Sequence, residues 1–199
     1  IKPYWAGKSL EDVLRARYGG ELDQIAKVVK INQKDHAQGH ICPDCARWLK
    51  MGPAALREEA LEHLKTADGQ GPETDFYRSV ALVMEGAMAF MDRYHDLMEK
   101  LAGQEQDPKL QESMRSVAEN CRNLSKRPAE TFHEAVQSIW FLFVILHMES
   151  NASSFSPGRM DSYLAPYYNR DIEAGTLDRE KALEIIECLW LKFNQIVYL

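Results

Sequence analysis

No apolar run in the 199 residues approaches the ~20 residues that a membrane span requires. The longest candidate, IWFLFVILHM from Ile139 to Met148, is about half that length and reads as a buried core helix. Positive charge is not in excess: 24 Lys and Arg stand against 30 Asp and Glu, a formal net charge of -6. A general nucleic-acid binder carries a basic face, so that class is not expected. Period-two alternation is scarce, and repeats and low-complexity tracts are lacking, which excludes an all-β or solenoid reading. Cysteine is sparse, four residues in the chain, too few for a disulfide scaffold and consistent with reduced thiols. The start shows no secretory signal, so the default expectation is a cytoplasmic protein with neither membrane nor nucleic-acid partners. An apolar stretch closes the sequence, ECLWLKFNQIVYL, and no initiator Met opens it. Both features suggest a piece of a longer protein.

Helix signals fill most of the chain. Ser9 is placed to cap LEDVLRAR, with Asp12 near the capping-box position. Residues 19–52 lack periodicity and are punctuated by Gly39, Pro43 and Gly52, predicting a long ordered loop. A helix is expected over 53–66, with Pro53 in its first turn, and then a linker over 67–73. From Phe76 to Leu101 apolar residues, Ala87 and Met91 among them, recur at three- and four-residue steps, predicting one face of a long helix that Gly103 ends. Another helix is expected over 108–123, with Leu110, Met114, Val117 and Cys121 inward. Thr131 and Glu134 form a capping box that opens the most apolar helix, to about residue 149. A last helix is expected to start near Asp178, with Leu189 and Phe193 among its unpartnered apolar residues. The class is mainly α.

Two stretches stay irregular, 31–52 and 150–161, and irregular segments held by rigid helices are where sites concentrate. The first contains GHICPDC. His36, His40, Cys42 and Cys45 are zinc-type ligands, but structural sites bring two pairs together across an intervening segment, and closing these four, all within ten residues, onto one ion would strain the backbone. A redox dithiol would need a strand before the motif, and none is indicated. The local alternative is that the cysteines pack as small apolar groups and His40 serves a turn. The second stretch offers Asn151, Ser153, Ser154 and Ser156, which suit either hydrogen bonding to a small polar substrate or a turn that satisfies helix carbonyls. Arg159 and Asp161 are spaced for a local ion pair.

Taken in order, GHICPD, DFYRSV, RPAETFHEAVQSIWFLFVILHMESN and SFSPGRMDSYLAPYYNRDIEAGTLDREKALEIIECLWLKFN resemble the glycyl-radical enzymes. This is the pyruvate formate-lyase-like family, with diol dehydratases and C–C or C–N lyases among its members. The second half carries the more specific wording: E-S-N, then G-R-x-D-x-Y-x-x-P-Y-Y and an acidic helix. The resemblance implies that residues 1–199 are part of a single pyruvate formate-lyase-like domain, truncated at both ends. They would supply the helical shell portion of an α/β barrel that is incomplete in this chain.

Family members carry a glycyl radical near their C-terminus, installed by a radical-SAM activase, and pass it to a cysteine that abstracts hydrogen from substrate. Such chemistry needs a closed, dry cavity in an anaerobic setting. Neither motif is present: RYGG at Arg17 to Gly20 is not the radical motif, and none of Cys42, Cys45, Cys121 and Cys188 has the thiyl setting. No catalytic residue and no metal ligand is therefore assigned, and no cofactor is bound by the chain itself. Substrate contact is what the resemblance carries over, onto His40 from the Gly-His pair and onto Ser153 and Ser154 after E-S-N-x. Dehydratases commonly have His-Ser at the latter pair and pyruvate formate-lyase Ala-Ala, so Ser153 departs from both. His40 with Ser154 favours dehydration or C–C/C–X cleavage of a small polar substrate. Formate C-acetyltransferase activity and a non-enzymatic helical or zinc-binding module are the alternatives. A homodimer is the expected assembly of the full-length protein.

Overall fold

A computed structural model describes residues 16–21, 24, 42–66, 71–150 and 155–195. The expected cap at Ser9 lies outside them. After helical turns at 16–21 come six longer helices: α1 (Cys45–Thr66), α2 (Pro72–Ala102), α3 (Pro108–Leu124), α4 (Phe132–Ser150), α5 (Met160–Glu173) and α6 (Arg179–Phe193). The mainly-α reading holds. No strand longer than a single bridge residue, Phe155, occurs among the described residues.

α2 packs along both α1 and α3, and α4 touches α1, α3, α5 and α6. α4 is the most buried element: Ala135, Ile139, Phe141 and Phe143 are all in the core. Its beginning is fixed by a buried carboxylate. Glu134 Oε1 accepts from Arg127 Nη2 at 2.8 Å and Asn123 Nδ2 at 3.0 Å; its Oε2 accepts from Arg127 Nη1 at 3.0 Å and the Glu130 amide at 2.8 Å. The expected capping box is present, with the Glu134 amide donating to Thr131 Oγ1 at 3.1 Å and the Thr131 amide to Glu134 Oε2 at 3.3 Å. A second buried carboxylate, Asp171 at the end of α5, accepts the otherwise free Phe132 amide at 2.7 Å.

Several expectations are corrected. α1 starts at Cys45, inside the stretch expected to be irregular, because Asp44 caps it: the Arg47 amide donates to Asp44 Oδ1 at 2.9 Å. Gly52 and Pro53 do not begin the helix but kink it. Gly52 has φ 66°, and a Cβ there would lie 3.2 Å from the Arg127 carbonyl oxygen, so the kink lets the connector before α4 approach. α5 was not foreseen. Pro166 lies within it and removes one helical hydrogen bond, a loss offset by burial of Leu164 and by Phe132 meeting Tyr168 edge-on at 5.7 Å.

Of the expected row in α2, Ala87 and Met91 are buried, and they share the stripe with Thr74, Ala81 and Ala102 rather than with the other large residues. Phe76 is 61% exposed, and Phe90, Tyr94 and Met98 instead border a cavity of about 670 Å³ reaching to Phe141, Ile185 and Leu189. Small side chains are what a helix needs between two close neighbours. Leu110 points outward, while Ala118, Cys121 and Leu124 carry the inner face of α3. In α6, Leu189 is buried with Ala182 and Ile185; the exposed apolar residues are Leu183, Trp190 and Leu191. No helix of the described residues is long and apolar enough to cross a membrane.

Burial pushes the Glu134 carboxyl up, but hydrogen bonds from Arg127, the Glu130 amide and Asn123 prevail and hold it below the ordinary value of 4.5. A depressed carboxyl contributes stability above its unfolded pKa, and this is lost as pH falls through the folded one. Arg127→Ala strands the carboxylate and should cost about 3 kcal/mol near neutrality. That cost should shrink below about pH 4.5, where the unfolded carboxyl already binds a proton. Denaturant titrations of wild type and variant at neutral and acid pH measure the difference, and an equal cost at both would contradict the role given to Glu134.

Candidate functional site

His40, Ser153 and Ser154 lie outside the described residues, as does His36, so the structure is informative about what flanks them. Cys42 stands two residues after His40, and Phe155 follows Ser154 directly. The flanks come together although they are far apart in sequence. A Cβ built on Gly158 would lie 2.9 Å from Cys42 Sγ, so the second segment runs against the first there, and the φ of +70° at Gly158 is one that glycine adopts without strain.

Tyr163, in the first turn of α5, fastens the second segment: its hydroxyl donates to the Pro157 carbonyl at 2.8 Å. Burial pushes the Cys45 thiol up, with the neighbouring Cys42 and Asp44 adding to the effect against the Tyr163 hydrogen bond. Burial also pushes the Tyr163 phenol well above its ordinary range.

Both helices that carry the junction are referenced to α4. Trp48 of α1 donates its indole N–H to Ser138, to Oγ at 2.8 Å and to the carbonyl at 3.1 Å. At the far end of α4 the His147 ring meets Phe155 edge-on at 4.8 Å, and Phe143 packs on Phe155 from the same helix. His147 Nδ1 lies 2.8 Å from the Phe143 carbonyl; that oxygen only accepts, so this nitrogen carries the proton. Arg159 forks onto Asp161 at 2.9 and 2.7 Å, the expected ion pair, in full solvent.

What this chemistry can do is limited. A nucleophilic or redox-active cysteine has a lowered pKa in an electropositive site, and Cys45 has the reverse. Cys121 is likewise pushed up to about 11 by burial, opposed by Gln137, whose side-chain nitrogen lies 3.1 Å from the sulfur. Cys188 is exposed beside the cavity. Among the described residues no group of three or more His, Cys, Asp or Glu is placed to hold a metal ion. The reading of Cys42 and Cys45 as incidental is refined: Cys45 is a core residue at a helix start, and Cys42 is one half of the contact between the segments.

The profile of the pyruvate formate lyase-like family matches residues 1–199. The chain belongs to that family. It is similar to (2S)-3-sulfopropanediol dehydratase of Klebsiella oxytoca, 32% identical over 96% of this chain and 24% of the relative. It is also similar to isethionate sulfite-lyase of Nitratidesulfovibrio vulgaris, 30% identical over 99% of this chain and 26% of the relative. The described helices superpose on a glycerol-bound, B12-independent glycerol dehydratase from Clostridium butyricum. The TM-score is 0.86 at 29% identity, covering 98% of this chain and 25% of that one. The chain thus spans about a quarter of the length of the relatives it matches.

Sequence reasoning missed Asp44 and Tyr163. Asp44 sits between Pro43 and a run ending in Trp48-Leu49, which is a helix-start signal, but the Cys-x-x-Cys wording drew it into a metal or redox reading. Asp44→Ala should cost about 1 kcal/mol and fray the first turn of α1. Opening by that amount should raise the rate of iodoacetamide alkylation at Cys45 about fivefold. Mass spectrometry of the Cys45 peptide measures it, and an unchanged rate would mean that the cap does not hold this turn.

Proposed function

We propose that these residues form part of the helical wall of a glycyl-radical dehydratase or lyase. The reaction is dehydration or C–C/C–X cleavage of a small polar substrate. One observation carries the reading: in a chain of this family, the flanks of the GHICPDC and ESNASSF segments meet at the Cys42–Gly158 contact. In this proposal His40, Ser153 and Ser154 border the substrate, with His40 and Ser154 orienting its oxygens as hydrogen-bonding groups in a space that helices close to water. The relatives above are named for 3-sulfopropanediol, isethionate and glycerol, and a small polar compound of that kind is proposed here.

The radical supplies hydrogen abstraction, and it belongs to a glycine outside these 199 residues, installed by a radical-SAM activating enzyme. What this chain contributes is orientation and exclusion of water. The larger barrel, into which residues 1–199 fit as a portion cut at both ends, belongs to the same proposal, as does a homodimer. The exposed apolar face of α6, with Leu183, Trp190 and Leu191, supports it, since so much apolar surface on one helix calls for a covering partner.

The complete polypeptide, activated without oxygen, should turn over at least one of isethionate, 3-sulfopropanediol, hydroxyproline, glycerol and 1,2-propanediol. His40→Ala should reduce that turnover by about a hundredfold, the scale of losing one oriented polar group at a reacting centre. The glycyl radical signal in electron paramagnetic resonance should persist. Undiminished turnover would remove His40 from the site.

A further inference from the structure

We infer that the trough floored by α4, with α2 and α3 on one side and α6 on the other, seats an apolar segment of the same polypeptide from outside these 199 residues. The inference rests on the proposed function, which makes these residues a portion of a larger domain.

Side chains of α4 reach both walls. Phe141 meets Phe90 and Tyr94 of α2 edge-on at 5.9 and 6.1 Å, and Trp140 meets Phe193 of α6 at 6.4 Å. The walls themselves stay apart, since α6 packs on α4 and makes no comparable packing with α2 or α3. The space between them is the cavity of about 670 Å³, faced by apolar side chains from all four helices, among them Met98, Val117, Val144 and Ile185. Folded interiors leave few voids larger than one water, and contiguous apolar surface open to solvent marks a place where something packs. The relatives supply the occupant: this chain spans about a quarter of their length, so most of a family polypeptide lies outside it and has ample chain to fill the trough. A second copy set on the trough by a two-fold axis would oppose one concave surface to another and fill neither. Charge narrows the occupant further. Lys181 is answered by Glu184 at 2.8 Å, whereas Lys192 lies over the Trp140 ring at 5.9 Å and has no carboxylate partner among the described residues. The segment is therefore apolar where it enters and acidic at the edge that meets Lys192.

Cys188 faces the trough and is exposed in these 199 residues, which makes it the reporter. In the complete polypeptide its alkylation by iodoacetamide should be slower than that of glutathione by about a hundredfold or more, read by mass spectrometry of the Cys188 peptide. Lys192→Glu should speed that alkylation about fivefold, the scale of turning an attraction into a repulsion at a partly exposed site. Photo-crosslinking identifies the occupant: with p-benzoylphenylalanine in place of Val144, the irradiated product should keep the mass of one polypeptide on a denaturing gel, and the joined peptide should lie outside residues 1–199. A Cys188 that reacts like glutathione would mean an open trough and overturn the inference. A product of two-chain mass would put a second copy there, and a crosslink within residues 1–199 would put this portion's own chain there; either overturns it too. An unchanged rate in Lys192→Glu would contradict the acidic edge. Turnover measured alongside separates the two ideas: an active enzyme with a freely reactive Cys188 would remove the seat and leave the proposed function standing.

Discussion

A carboxylate with almost no contact with water has to be satisfied completely, and Glu134 is such a group. Desolvating it costs several kcal/mol unless charge and hydrogen bonds are returned. Arg127 returns the charge through both of its terminal nitrogens; Asn123 and the amides of Glu130 and Thr131 supply the rest. Those donors come from the end of α3, the connector and the capping turn. Satisfying one side chain therefore fixes how α3 hands over to α4. The most apolar helix of the chain enters the core in one position and one direction.

Everything near the candidate site is measured from that helix. α1 is tied to it by Trp48 and Ser138, 90 residues apart in sequence, and α5 by Asp171 on the Phe132 amide. Each of these two helices begins directly after one of the irregular segments. Both helices are thus referenced to α4, and Cys42 before one meets Gly158 before the other.

What could be read in the sequence follows from range. Local patterns were legible: the Thr131–Glu134 capping box, the apolar helix behind it, the Arg159–Asp161 pair and the extents of α2 and α3. Their causes lie within a few residues. α5 was hidden because Pro166 opposes helix locally and the compensating partners, Phe132 and the core around Leu164, are distant. The buried stripe of α2 was legible only in part, at Ala87 and Met91, for a related reason. Large residues mark an apolar face when a helix has one broad neighbour, whereas α2 lies along two helices and buries alanines between them. The same holds for α6, where Leu189 is buried and its neighbour Trp190 is 56% exposed. At the candidate site the wording of the motifs suggested the residues through resemblance. The meeting of Cys42 with Gly158 is a tertiary fact that no spacing rule encodes.

The central claim is that the two segments face one substrate. A crystal structure of the complete polypeptide with glycerol bound tests it most directly. The account predicts His40 and Ser154 side chains on a common cavity, with at least one of them within about 3 Å of a ligand oxygen. A structure with glycerol held elsewhere, and His40 and Ser154 turned into separate surroundings, would contradict it.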